Sequence, residues 1–206
     1  MCLRYLSATA ALVLGLTSAA AQPASRAREQ GDWPCRQVKV ATIALASVWS
    51  GAPIDAAQDW RSDGELSALV TRVAERRTAL EEAQAAIIDY AKRLGKDRDA
   101  KLTLLMAGIF DRLNHERADV IAGLERYGHK QKDMAERVKS EVEALNAAQS
   151  ETNPNQQKID DLSNRVQWDT RVFEDRRRAL TYVCETPVLI EQRLGALART
   201  IAAAMQ

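Results

Sequence analysis

The side chains of this chain that could do chemistry are few. His115 and His129 are its histidines, and fourteen residues separate them on one periodic stretch. On a helix that is about 21 Å, too far for both to hold one metal ion. Asp111 and Asp119 each lie one turn from His115 and can pair with it, as charged residues do on a solvated helix face. Paired carboxylates, a Ser-His-Asp order, a glycine-rich phosphate loop and zinc-ligand spacing are all missing. The sequence therefore predicts no enzyme, no catalytic residue, no metal and no cofactor.

The cysteines carry a sharper signal. Cys2 stands in a leader: Arg4 gives a short positive region, Ala8 to Leu16 is mostly apolar, and Ala19-Ala20-Ala21 supplies small residues before Gln22. That order reads as a cleaved secretory signal over residues 1–21, with an apolar run too short to span a bilayer. Cys2 precedes the run, so it is not a lipoprotein's acylated cysteine. The exported remainder keeps Cys35 and Cys184, and two cysteines in an oxidising compartment are expected to form a disulfide. Periplasmic or secreted localisation is expected on the same grounds. No later stretch is apolar enough for a membrane segment.

Charge excludes another class. The 29 basic residues fall to 28 when Arg4 leaves with the signal, equal to the 28 acidic ones. A nucleic-acid binder would show a basic surplus on one face, so no nucleic acid is expected.

What must position these residues is helical. Prolines fall at 23, 34, 53, 154 and 187, leaving the runs 65–94, 100–149 and 155–185 free of helix breakers. In the first, Leu66, Val73, Leu80, Ile87 and Leu94 recur in heptads, with Leu69, Arg76, Ala83 and Tyr90 between. In the second, Met106, Leu113, Val120, Tyr127 and Met134 alternate with Phe110, Arg117, Leu124, Gln131, Val138 and Leu145. The third repeats Ile159, Val166, Phe173 and Leu180, interleaved with Leu162, Asp169, Arg176 and Val183. A fourth stripe, Ile190, Leu194, Leu197 and Ile201, comes after Thr186-Pro187. Such repeats predict an all-α fold of long antiparallel helices, packed as coiled coils. Ser62 with Glu65 reads as a capping box, Gly95 as a helix stop, and Asn153-Pro154 as the start of the third helix.

Residues 22–64 read differently. Gly31-Asp32-Trp33-Pro34 and Ser50-Gly51-Ala52-Pro53 are turn signals, and Val38, Val40, Thr42 and Ala44 alternate loosely between them. An extended strap, with room for one strand, is expected there. Trp33, Trp49 and Trp60 should anchor it to the helical region 65–206.

Register comes from arithmetic. A turn near 150–154 sets Leu145 opposite Ile159, Val138 opposite Val166, Gln131 opposite Phe173 and Leu124 opposite Leu180. Tyr127 then meets Arg176, where a cation–π contact would fit, Met134 meets Asp169, and Val120 meets Val183. The earlier turn sets Leu94 against Thr103, Ile87 against Phe110 and Leu80 against Arg117. The second helix becomes a spine of about 75 Å. The first helix covers its early half, and residues 130–175 project as a two-helix hairpin. Cys184 returns to the level of Val120, where the strap can reach it, and closing so long a loop is worth several kcal/mol in the chain-entropy model.

Arg76, Arg117, Gln131, Asp169 and Arg176 break the apolar rows. Buried polar groups at such positions fix register at some cost in stability, while as a set they could also bind a charged ligand. Gly108, Gly123 and Gly128 lie inside the spine, for close packing or for a hinge at the hairpin's root. Trp168 falls off both core rows, so it is the candidate partner-binding residue.

A non-enzymatic adaptor or scaffold, offering its coiled-coil hairpin to a protein partner or to a second copy, fits these features best. In general architecture alone the chain resembles the Skp type of periplasmic holdase chaperone, although its neutral charge argues against that role. A ligand-binding helical bundle would rest on the polar seam residues only.

Overall fold

The computed structural model describes residues 31–54 and 59–206. The leader over residues 1–21 and the first part of the strap lie outside the described residues. Every helix and turn named below belongs to the unit Asp32–Gln206.

Five α-helices account for the helical region: α1 Gly64–Ala74, α2 Leu80–Arg93, α3 Arg98–Gln149, α4 Gln156–Val183 and α5 Thr186–Ala204. Single 3-10 turns, Leu45–Ser47 and Trp60–Ser62, punctuate the strap. Among the described residues there is no strand, so the loose alternation at Val38 and Val40 is not a β pattern. Both side chains point to solvent.

The spine is α3, 52 residues without a break. Opposite it run α4 and α5, separated only by Cys184 and Glu185, which keep helical backbone angles. Pro187 is tolerated there because the first turn of a helix has no use for its missing N–H. The α4 helix lies on the late half of the spine and α5 on its early half.

The first periodic run corrects the sequence reading. Its heptads predict one helix over 65–94, but the chain breaks at Glu75–Ala79 and α2 folds back antiparallel on α1. Arg72 pairs with Glu82 at 2.7 Å and Arg93 with Glu65 at 2.7 Å across that hairpin. The turn contains neither glycine nor proline. Its stabilising partner is remote: the Arg193 guanidinium, from α5, donates twice to the Val73 carbonyl at 2.7 and 3.0 Å. A cation on an orphan carbonyl is a favourable end for a helix.

The break changes the packing partners too. The α2 helix packs on α1 and α5, not on the spine, so the expected facing of Ile87 with Phe110 and of Leu80 with Arg117 is not adopted. With the early spine these helices form a four-helix stem. Leu66 and Val70 of α1, Ile87 of α2, Leu105 and Ile109 of α3, and Leu194 and Leu197 of α5 share one core. A single long α1 could have met only the spine.

Caps shift by small amounts from expectation. Asp63, not Ser62, caps α1, its carboxylate accepting from the Leu66 N–H at 3.1 Å. The Ser62 hydroxyl donates to the Asp59 carbonyl instead. Asn155, two residues beyond the expected Asn153, caps α4 through the Lys158 N–H at 3.1 Å. Pro154 biases Asn153 towards extended backbone, which delays the helix start.

The strap runs antiparallel along the spine and is tied at intervals. Asp32 reaches His129 and Lys132, Lys39 pairs with Glu125, the Ile43 N–H donates to Asn114, and Arg61 pairs with Asp111. Trp49 and Trp60 are buried in the stem core, and Trp33 packs beside the disulfide. Two spine glycines let the strap approach. A Cβ on Gly108 would stand 2.9 Å from the Trp60 ring, and one on Gly128 would stand 1.8 Å from the Asp32 carbonyl oxygen.

Candidate functional site

Burial divides the molecule sharply. Fully buried large side chains such as Leu66, Ile87, Leu113, Leu124 and Ile201 lie at or before Leu124, or at or beyond Ile190. Each is worth roughly 1.5–3 kcal/mol, so the stem holds itself together. From Glu125 to Val183 the buried residues are Gly128, Gln131, Met134 and Ala148, and α4 contains none. The distal parts of α3 and α4 thus form a two-helix arm with a half-covered seam, as narrow two-helix stripes do.

The arm's register is that of the sequence pairing. Gln131 Nε2 donates to the Phe173 carbonyl at 2.9 Å, and Leu124 packs with Leu180. Tyr127 differs in kind from expectation. Its hydroxyl donates to the Arg176 carbonyl at 3.1 Å, while the Arg176 guanidinium turns to Met134 Sδ at 3.7 Å. The cation–π pairs among the described residues are Arg61 over Trp60 and Arg93 over Tyr90.

The five polar residues on the core rows do not come together. Arg76 lies in the turn between α1 and α2, exposed, with Nε 3.1 Å from Glu116. Arg117 is buried in the stem, where it binds Glu191 at 2.6 Å and the strap carbonyl of Val40 at 2.7 Å. Gln131 sits at the root of the arm, and its Oε1 is buried with no partner. Asp169 stands 3.7 Å from Arg137, and Arg176 is exposed at the seam's edge with its guanidinium on Met134. Their spread along the molecule gives no common charged cavity.

Trp168 is 65 % exposed. On its helix the residues one turn away are Asn164, Arg165, Arg171 and Val172, of which only Val172 is partly covered. An indole held in water on a packed helix has an unmet apolar surface with arginines beside it.

Cys35 and Cys184 form a disulfide that closes a separation of 149 residues and ties the strap to the end of α4. Gln37 reinforces the tie, its amide donating to the Cys184 carbonyl. Such bonds persist in oxidising compartments. No helix of the described residues is long and apolar enough to cross a membrane.

The histidines stay apart. His115 faces Asp119 at 3.7 Å in full solvent, and His129 Nδ1 lies 3.0 Å from Asp32 Oδ2. Lys132, foremost through its hydrogen bond, together with His129 holds the Asp32 carboxyl below its ordinary range. Among the described residues no group of three His, Cys, Asp or Glu side chains converges as metal ligands would.

Periodicity had no means of finding the strap's fastenings. Asn114 and Glu125 look like ordinary solvated helix residues, and only the path of the strap gives them partners.

Comparison with protein-family models, with curated proteins and with solved structures finds no match.

Proposed function

We propose that the protein is an exported, non-enzymatic adaptor whose helical arm, about residues 130–175, engages a protein partner. The observation that carries this reading is the contrast between the two halves. The stem buries its apolar faces internally, whereas α4 buries nothing, and its largest apolar side chain, Trp168, stands in water. A tryptophan flanked by arginines has the composition of an interface hot spot. The leader in the sequence and the disulfide support export.

The test is photo-crosslinking in the producing cell. A photoreactive residue at position 168 should trap a discrete species, while the same residue at exposed Ala100 on the stem should not. Absence of any adduct at 168, or the same adduct at Ala100 alone, would move the working surface to the stem. A smear of many adducts at 168 would mean a holdase that meets unfolded clients in general.

A further inference from the structure

The root of the arm carries a second surface, distinct from Trp168. Where the disulfide joins the strap to the end of α4, a groove of about 840 Å³ opens between the strap and the α4–α5 junction. Its two buried lining residues are the cysteines themselves. Arg36 on the strap and Arg177 and Arg178 on α4 line it, against one acid, Glu185. Towards α5 its lining turns apolar, with Val188 and Leu189 at 39 % and 53 % exposure. Tyr182, next to the lining residue Thr181 on α4, is exposed as well.

The arginines are lightly engaged. Arg177 pairs with Glu174 at 2.9 Å and Arg178 with Asp175, each within one turn of α4 and on side chains about two-thirds exposed. Exposed pairs of this kind are worth only a few tenths of a kcal/mol and exchange readily for a better anion. Arg36 has no ion pair among the described residues.

We infer that this groove docks an acidic segment of a partner protein that also carries large apolar side chains. Acid on the arginines and apolar contact on Val188 and Leu189 would satisfy both halves of the lining at once. A second copy whose two-fold axis passed through the groove would set arginine against arginine, which like charge disfavours. An enclosed small molecule would need a deep polar anchor, and the buried part of the lining offers only the disulfide. The proposal does not depend on the arm's being a docking surface, because the two surfaces share no residue.

The experiment selects short random peptides displayed on phage against the disulfide-intact full chain, with depletion against an Arg177→Glu/Arg178→Glu variant. Synthetic copies of the enriched peptides are then titrated by fluorescence anisotropy. Enriched sequences should combine a surplus of Asp and Glu with at least one large apolar residue. Affinity should fall about tenfold or more in the charge-reversed variant, and should weaken with salt. A Val188→Ser/Leu189→Ser variant, which leaves the arginines intact, should also weaken binding. Circular dichroism of both variants should match the parent, and melting should stay within a few degrees of it, since all four side chains are exposed and only two exposed ion pairs are lost. Enriched peptides without an acidic surplus, or affinity unchanged in both variants, would overturn the proposal. So would co-sedimentation of the protein with phosphatidylglycerol vesicles that the arginine variant loses, because the arginines would then serve a membrane surface.

Discussion

Three glycines interrupt the spine, and their surroundings give one substitution opposite signs. Glycine in a helix interior costs roughly 1 kcal/mol relative to alanine. At Gly123 an added Cβ would find its nearest neighbour, Arg126 Nη2, at 3.8 Å, an ordinary contact. Gly123→Ala should therefore realise the helical gain of about 1 kcal/mol and raise Tm by about 2–4 °C. At Gly128 the same Cβ would stand 1.8 Å from the Asp32 carbonyl oxygen and 3.2 Å from Pro34 Cδ. A carbon needs about 3.3 Å from such an oxygen, so the strap's backbone must lift by about 1.5 Å. Lifting it breaks the contacts of Asp32 with His129 and Lys132.

Overpacking of this kind costs typically about 1–3 kcal/mol, which outweighs the helical gain. Gly128→Ala should melt below the parent by up to several degrees. Gly108→Ala should fall on the same side, because its obstacles are Val70 Cγ2 at 2.7 Å and the buried Trp60 ring at 2.9 Å. Thermal melts followed by far-UV circular dichroism, with the disulfide intact, would order the three variants. If Gly128→Ala melts with or above Gly123→Ala, the Asp32 carbonyl does not sit on the spine and the docked strap is wrong.

Two further outcomes bear on the frame that presents the site. Free-thiol labelling of the denatured, unreduced protein should find Cys35 and Cys184 unavailable, and reduction should lower Tm on the order of 10 °C, since a loop this long is worth up to about 5 kcal/mol in the chain-entropy model; an unchanged Tm after verified reduction would contradict the staple. Paired cysteines at Val138 and Val166 should oxidise to a crosslink seen on non-reducing gels, whereas Val138 with Phe173, displaced by one heptad or about 10 Å, should not; equal yields would mean that α4 does not pair with the spine in the register fixed by Gln131 and Phe173.

The arm was legible in the sequence because two helices joined by a short turn have one way to pair. Heptad rows and the turn near residue 150 place Gln131 beside Phe173, and the structure joins them at 2.9 Å. Trp168 was legible for the same reason, as a large side chain off both rows. The stem was not, because four helices compete there and index arithmetic ranks no pairing above another. Ile87 suits Phe110 on paper as well as it suits the face of α1. The break at Glu75–Ala79 has no local signature; its cap is Arg193, 120 residues away. In the strap the extended path was legible, but its outward valines resemble a strand, and its fastenings are scattered polar side chains and main-chain groups that periodicity does not register.

Arg117 and Gln131 show what a polar residue on an apolar row means in each half. Both are buried, and both donate to a main-chain carbonyl of the facing segment, Val40 for one and Phe173 for the other. A buried donor left without its acceptor costs about 1–3 kcal/mol, and more when it is charged. Slipping either segment by a residue would incur that cost at once, where an apolar row tolerates a slip far better. These positions therefore hold the strap and the arm in register, and their donors are already spent. Arg36, Arg177 and Arg178, which line the groove at the α4–α5 junction, never entered a core row, and heptad reading passes over them because they look like any solvated face.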